Sequence, residues 1–166
     1  MMAVKSGRAI RFPEEKVRPT GRGAIGVAGI EVDENGDEVV VVDQLPDEVP
    51  VCDALITGNP DLALIVMVAD CIPLLLRSER LVAAVHVGRA GLMNSIALKT
   101  VAKMRDLGAI QISGTIGPAI CGSCYEVPQE LHDQVVALHP LASSRTQIGT
   151  PALDLPKALI AALTEV

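Results

Sequence analysis

Two uninterrupted aliphatic runs near the middle of the chain limit the folds available to it most strongly. Residues 62–68 read LALIVMV and residues 81–87 read LVAAVHV. Each run is about as long as a buried strand, and neither alternates with polar residues, so we expect both faces of these strands to be covered. Covered strands of this kind occur in sheets on which helices pack, which predicts a layered α/β domain.

The segments around the two runs support this fold class. A chain of 166 residues with 49% hydrophobic content suits one domain, whose core must be aliphatic because Phe12 and Tyr125 are the only aromatic residues. Residues 1–28 mix basic residues, glycine and proline without a period and predict an irregular leader. We therefore expect a single α/β domain over residues 29–166, with a mixed sheet flanked by helices.

Local signals place the other elements. The pair Asn35-Gly36 predicts a type I′ hairpin turn, with Val39–Val42 as the well-buried second arm of the hairpin. Gly108 is positioned to end a helix that begins at Leu92, and Asp154 is positioned to cap the last helix. Further strands are expected at residues 54–57, 72–77 and 110–116, and further helices at residues 128–139 and 154–163.

Charge and cysteine content limit the partners and the compartment. The formal net charge is −6 and the sequence pI is about 5.0, which argues against a surface for nucleic acid or anionic lipid. No apolar run reaches the ~18–20 residues of a membrane span, and the N-terminus lacks the pattern of a signal peptide. The four cysteines are too few for a secreted disulfide framework. We expect a cytoplasmic protein that binds a small molecule or another protein.

The most reactive side chains lie at or just beyond the ends of the two aliphatic runs. Asp70-Cys71 follows the first run, and His86 lies near the end of the second. Thiolate and neutral imidazole are good zinc or copper ligands, and a catalytic zinc site usually has three protein ligands. A structural role for Cys71 and His86 in the core remains the alternative. Asp70 is a candidate to orient His86, to act as a general base, or to cap the turn after the strand.

Two further motifs have more than one interpretation. Cys121-Gly122-Ser123-Cys124 has the spacing of a redox dithiol or of half a zinc knuckle, but there is no second cysteine pair and the context of thioredoxin is only loosely met. Arg89 follows His86-Val87-Gly88 and precedes a predicted helix, so it is a candidate for binding an anion such as phosphate. A solvated surface arginine is the alternative.

Several of these motifs together resemble a known family. VMVADCIPLLL, AAVHVGRAGL and IGPAICGSCYEVP, preceded by CDALITGNPDLAL, resemble the laccase-domain family in order and spacing over about residues 31–160. This family is also described as multicopper polyphenol oxidoreductase laccases and as purine nucleoside phosphorylases of the laccase-domain type. The resemblance implies an α/β/α-type fold and a zinc enzyme, with copper as the alternative metal.

The resemblance also implies roles for individual residues. Cys71 matches the cysteine of the "DC" motif and His86 the histidine of the "HAG" motif, both metal ligands in the family. The family's third ligand is the histidine of a "QVHG" motif, and Asn35 occupies that position here. An asparagine carbonyl is a poor zinc ligand beside imidazole or thiolate. We assign a catalytic role to Asp70 and substrate-binding roles to Arg89 and Tyr125.

The resemblance leaves three functions to consider. The first is a purine nucleoside phosphorylase, acting on adenosine, inosine or methylthioadenosine together with phosphate, that also deaminates adenosine. The second is a family member without catalytic activity that acts as a binding or partner protein. The third, a copper-dependent polyphenol oxidoreductase, is disfavoured because the chain lacks the several histidines of a multicopper cluster. The N-terminal part of the family is missing here or replaced by the irregular leader, and the chain stops before the family's C-terminal segment. The missing C-terminal segment predicts exposed apolar surface and hence homo-oligomers.

Overall fold

A mixed five-stranded sheet forms the centre of the protein in the computed structural model, which describes residues 2–3, 9–10, 27–28, 31, 35–44 and 46–165. The strands are β1 (Met2–Ala3), β2 (Ala9–Ile10), β3 (Val27–Ala28), β4 (Val39–Val41), β5 (Ala54–Thr57), β6 (Ala63–Leu64), β7 (Ile72–Arg77), β8 (Val82–Val87), β9 (Ser113–Ile116), β10 (Ser143–Arg145) and β11 (Pro151–Leu153). The helices are α1 (Arg89–Met93), α2 (Ile96–Asp106), α3 (Gln129–Leu138) and α4 (Leu155–Thr164), with a 3-10 turn at Pro140–Ala142.

The order of strands in the central sheet is β4-β5-β8-β7-β9. The β4–β5 pair is parallel and the other three pairs are antiparallel. The expected mixed sheet is therefore confirmed. Three smaller pairings, β1 with β2, β10 with β11 and β3 with β6, lie outside it. Most of the predicted leader lies outside the described residues, so its extent stays a prediction.

Helices pack against one face of this sheet. Helix α2 contacts β4, β5 and β8, and it also contacts α4. The buried side chains of α2, which include Ile96, Val101 and Met104, join those of β7 and β8 in one aliphatic core. These buried residues form the apolar stripe of α2, whereas Leu107 just beyond its end is 44% exposed. No helix among the described residues is long and apolar enough to cross a membrane.

The signals that end or begin helices are confirmed. Gly108 has φ of +95° and its N–H donates to the Arg105 carbonyl at 2.9 Å, which closes the end of α2. The Asp154 side chain accepts a hydrogen bond from the Lys157 N–H at 3.0 Å and caps α4. The single helix expected over residues 92–107 is interrupted, because Ser95 adopts a left-handed conformation (φ +60°) that separates α1 from α2.

The prediction of a buried strand over residues 62–68 is wrong. Only Ala63–Leu64 form a strand, paired in parallel with Val27–Ala28, and Met67 is 60% exposed. An aliphatic run forms a strand only where a partner strand accompanies it, and among the described residues this run has a partner only at Ala63 and Leu64. The second run is confirmed as β8, in which Ala83, Ala84, Val85 and Val87 are buried.

The strand predicted at Val39–Val42 is confirmed, but it is less buried than expected. Val39–Val41 form β4, but this strand pairs in parallel with β5 at the edge of the sheet, and Val41 is 36% exposed. Gly36 has a positive φ of +69°, and the residues just before Asn35 lie outside the described part of the chain, so the type I′ hairpin turn stays a prediction. The expected strand over residues 110–116 begins only at Ser113, and Ile110 is 85% exposed.

Candidate active site

His86 is held in place by two neighbouring strands. Strand β8 lies between β5 and β7, and the register pairs His86 with Pro73 on one side and Val85 with Ala54 on the other. The residue before Ala54 is Asp53, whose carbonyl accepts a hydrogen bond from the His86 N–H at 2.7 Å. The sheet therefore places the side chains of Asp53 and His86 next to each other.

A buried carboxylate fixes the orientation of the imidazole. Asp53 Oδ1 lies 2.9 Å from His86 Nδ1, with the Asp53 side chain fully buried and the His86 side chain 14% exposed. Because an ionised carboxylate can only accept, this contact assigns a proton to Nδ1, so the lone pair of the neutral imidazole lies on Nε2. Asp70 is one candidate for this orienting role from the sequence, whereas in the structure the residue that contacts His86 Nδ1 is Asp53.

Cys71 meets the other side of the imidazole. Cys71 immediately precedes β7, whose first residue, Ile72, pairs with Val87 of β8. One residue beyond this pair, Cys71 lies opposite Gly88. A Cβ atom placed on Gly88 would lie 3.1 Å from Cys71 Sγ, 3.4 Å from His86 Cε1 and 3.8 Å from His86 Nε2. The thiol and the imidazole therefore converge on one point above Gly88, and any side chain at this position would occupy that point.

The surroundings of His86 favour its charged form. Burial on its own would lower the pKa of His86, but hydrogen bonds with Cys71 and with Asp53, together with the charges of both groups, raise the pKa above the ordinary value. Burial also raises the pKa of the neighbouring Cys52 thiol to about 11, with the Asp53 charge adding to the effect. Cys52 is therefore a neutral thiol packed in the core.

The turn at Asn35-Gly36 packs against the segment that follows His86. A Cβ atom on Gly36 would lie 2.7 Å from the Gly91 nitrogen, and the Asn35 carbonyl accepts a hydrogen bond from Asn94 Nδ2 at 2.5 Å. Asn35 itself is exposed. Its backbone is thus tied to the short helix α1 that follows the His86 strand.

The described residues do not complete a metal site. No group of three His, Cys, Asp or Glu side chains within them is arranged to hold a metal ion. Cys71 and His86 converge as two ligands would, and Asp53 orients His86 as an outer partner of a metal-bound histidine would. The third position predicted from the sequence contributes an asparagine, so the residues present do not fit a three-ligand zinc centre.

The remaining predicted site residues lie at different distances from this centre. Arg89 begins α1 directly after Gly88, and its Nη1 lies 3.8 Å from Met93 Sδ. Asp70 is an exposed residue next to Cys71, and its carbonyl accepts a hydrogen bond from the Ile120 N–H. Tyr125 is partly buried and packs against the main core. The roles of Asp70, Arg89 and Tyr125 stay predictions.

Sequence reasoning missed Asp53. It lies in an acidic, proline-containing segment that predicts a loop, and no pattern marks it as buried. The available signal was indirect: Asp53 immediately precedes a predicted strand, as Cys71 does. Only the antiparallel register of β5 with β8 brings that position to His86.

Comparison with known proteins agrees with these observations. The family model described as multi-copper polyphenol oxidoreductase laccase matches residues 32–166. A second model, the DNA gyrase C-terminal domain β-propeller, matches residues 2–45, less than half of the chain. Asn35 lies where the two matches overlap. Its equivalence to the family's ligand histidine therefore stays a prediction.

Related proteins and solved structures extend the comparison. A Streptomyces coelicolor protein named purine nucleoside phosphorylase is 42% identical over 78% of this chain and 56% of its own length. A Mycobacterium tuberculosis protein of the same name is 39% identical over 86% of this chain and 61% of its own length. The crystal structure of a Neisseria meningitidis protein aligns with a TM-score of 0.71 at 26% identity, covering 85% of this chain and 60% of that protein.

Another crystal structure, that of YlmD from Geobacillus stearothermophilus, aligns with a TM-score of 0.69 at 28% identity, covering 83% of this chain and 58% of that one. The chain thus spans less than two thirds of the length of these relatives. The family model nevertheless covers most of the chain, and the fold and the convergence of Cys71 with His86 accord with it. The chain is a member of the multi-copper polyphenol oxidoreductase laccase family.

Proposed function

We propose that this chain catalyses the phosphorolysis of purine nucleosides at the Cys71–His86 centre. The observation that carries the proposal is the convergence of the two side chains above Gly88, with Asp53 orienting His86. The relatives at about 40% identity are named purine nucleoside phosphorylases, which supports this reaction class. Fold alone would not identify a function, so the proposal depends on this site.

In phosphorolysis a phosphate oxygen forms a bond to C1′ of the ribose while the bond from C1′ to the purine nitrogen breaks. The electron pair leaves with the purine, which then takes up a proton. Arg89 is placed one residue after Gly88, and its guanidinium is suited to bind two phosphate oxygens at once. We assign phosphate binding to Arg89. Cys71 and His86 face the space in which the reacting atoms would lie.

A binding protein without catalytic activity is the second candidate, and the incomplete donor set favours it. Zinc is the metal implied by the family resemblance, and among the described residues no group of three His, Cys, Asp or Glu side chains could hold it. A copper-dependent phenol oxidase gains no support from the other two histidines of the chain. His132 Nε2 lies 3.3 Å from Ser143 Oγ, and His139 Nε2 lies 3.1 Å from the Leu92 carbonyl.

The test measures the release of base from inosine by chromatography, with and without phosphate. We expect phosphate-dependent formation of hypoxanthine by the unaltered chain, loss of this activity in His86→Ala, and retention in the matched control His132→Ala. Adenosine is assayed in parallel, because deamination yields inosine whereas phosphorolysis yields adenine. Equal base release by the unaltered chain and by His86→Ala would favour the binding protein.

Restoring a histidine tests the third ligand position independently. If position 35 corresponds to the family's ligand, Asn35→His adds an imidazole where an asparagine now stands, and zinc affinity measured by calorimetry should rise at least tenfold. The matched control is Asn94→His, which places a histidine on the neighbouring helix end. An unchanged affinity in Asn35→His would show that position 35 is not the third ligand position.

A further inference from the structure

The Cys121-Gly122-Ser123-Cys124 segment brings two thiols together at the surface. It forms a turn between β9 and α3 in which Cys121 Sγ lies 2.6 Å from Cys124 Sγ. Both cysteines are exposed and free. The N–H groups of Cys124 and Tyr125 donate to the Cys121 carbonyl at 2.9 and 3.2 Å, so the backbone of the turn holds the two thiols on the same side.

The turn is anchored to the rest of the fold at both ends. A Cβ atom on Gly122 would lie 2.7 Å from the Asp154 Cβ, so the turn rests directly on the residue that caps α4. On one side the Ile120 N–H donates to the Asp70 carbonyl, and on the other the Leu153 N–H donates to the Tyr125 carbonyl. The fold therefore fixes the backbone positions of the two cysteines, and these positions allow their sulfurs to meet.

The two thiols are chemically unequal. The pKa of Cys121 is lowered, mainly by its hydrogen bond with Cys124 and further by the Ser123 hydroxyl. The pKa of Cys124 is raised, mainly by the same hydrogen bond with Cys121. Because the thiolate is the nucleophile in disulfide exchange, Cys121 is the attacking group and Cys124 the second, resolving thiol.

We propose that Cys121 and Cys124 form a reversible dithiol–disulfide pair that reacts with low-molecular-weight disulfides. Cys121 Sγ attacks one sulfur of the small disulfide, forming a mixed disulfide and releasing one thiol. Cys124 Sγ then attacks Cys121 Sγ, forming the intramolecular disulfide and releasing the second thiol. The protein loses two electrons and two protons, and the small disulfide gains both as two thiols. The exchange uses neither Cys71 nor His86, so it does not depend on the proposed cleavage of nucleosides.

The spacing is also that of half a zinc knuckle, but two cysteines supply only half of a four-ligand site. No third His, Cys, Asp or Glu completes a metal-binding group with them within the described part of the chain. The exposure of both sulfurs and their close approach favour exchange chemistry over metal binding. The experiment described next therefore also distinguishes disulfide formation from binding of a metal ion by the two cysteines.

The test exposes the unaltered protein to oxidised glutathione, alkylates the remaining thiols and maps the modified peptides by mass spectrometry. We expect Cys121 and Cys124 to become protected from alkylation together, with no stable glutathione adduct on either. Reduction with dithiothreitol should make both cysteines available for alkylation again. Cys52, which is buried, provides an internal control that stays unmodified in the folded protein. In Cys124→Ser the resolving thiol is absent, so Cys121 should retain glutathione almost stoichiometrically.

Three results would overturn the proposal. The first is a stable glutathione adduct on Cys121 of the unaltered protein, and the second is full alkylation of both cysteines after oxidation. The third is stoichiometric zinc that is lost in Cys121→Ser and that protects the pair from oxidation. All these readouts are independent of nucleoside cleavage. Failure of this proposal is thus distinguishable from failure of the proposed function.

Discussion

At the scale of single residues, Asp53 controls the orientation of the His86 imidazole. We predict that Asp53→Asn, which keeps the size of the side chain but removes its charge, lowers kcat/KM for inosine phosphorolysis about 10–100-fold, as is typical of the loss of an outer partner of a functional histidine. We expect this loss because the buried Asp53 carboxylate lies 2.9 Å from His86 Nδ1 and orients the imidazole. The matched control is Asp43→Asn, an exposed carboxylate, which should leave the activity unchanged. Equal activity in both variants would contradict the role of Asp53.

Gly88 controls the space in which the two reactive side chains meet. Its φ of −87° is open to any residue, so Gly88→Ala introduces no backbone strain, but the new Cβ would lie 3.1 Å from Cys71 Sγ. We predict a loss of activity of at least about tenfold, equivalent to ~1.4 kcal/mol of transition-state stabilisation, without a large change in Tm.

The control for this change is Gly58→Ala, whose Cβ would make an ordinary contact of 3.4 Å with the Leu81 side chain. Steady-state kinetics and thermal unfolding are measured on both variants. A Gly88→Ala protein as active as Gly58→Ala would mean that the space above Gly88 is not where the reaction takes place.

At the scale of elements, the packing of the turn at Gly36 against helix α1 fixes the position of the segment after His86. Gly36 has φ of +69° and its Cβ position lies 2.7 Å from the Gly91 nitrogen, whereas Gly108 has φ of +95° with nothing within 4 Å. Gly108→Ala should cost about 1–2 kcal/mol in unfolding free energy, because of backbone strain alone. Gly36→Ala should cost a further ~1–3 kcal/mol, because the added methyl group overpacks the contact.

Urea unfolding of the two alanine variants measures this difference directly. The comparison separates backbone strain from packing, since both positions require a left-handed conformation. Equal losses of unfolding free energy would mean that the turn and α1 are not packed together as described.

The elements also show what could be predicted from the sequence. The strands β7 and β8 and the ends of α2 and α4 followed from local signals, because aliphatic content, Gly108 and Asp154 act within a few residues. The run over residues 62–68 did not form the predicted strand, because strand formation depends on a partner elsewhere in the chain. Asp53 was missed for the same reason, since only the register of β5 with β8 brings it to His86.

At the scale of the whole molecule, the central sheet has two unequal faces. One face carries α2 and the main core, whereas Leu75 and Val82 on the central sheet remain 54% and 46% exposed beside a groove of about 410 Å³. The self-association expected from the sequence stays a prediction. Sedimentation velocity at micromolar concentration should show species larger than a monomer, and a strictly monomeric profile at all concentrations would contradict it.

The family match extends over residues 32–166, whereas the proposed reaction depends on a few residues within that range. We propose that catalysis takes place where Cys71 and Asp53 meet His86, at the ends of three neighbouring strands. Conversion of inosine and phosphate into ribose 1-phosphate, followed by phosphorus NMR, tests this most directly. We predict a new phosphate monoester signal with the unaltered chain and with His132→Ala, and none with Cys71→Ala or His86→Ala. A signal of equal rate in His86→Ala, or none with the unaltered chain, would contradict the account.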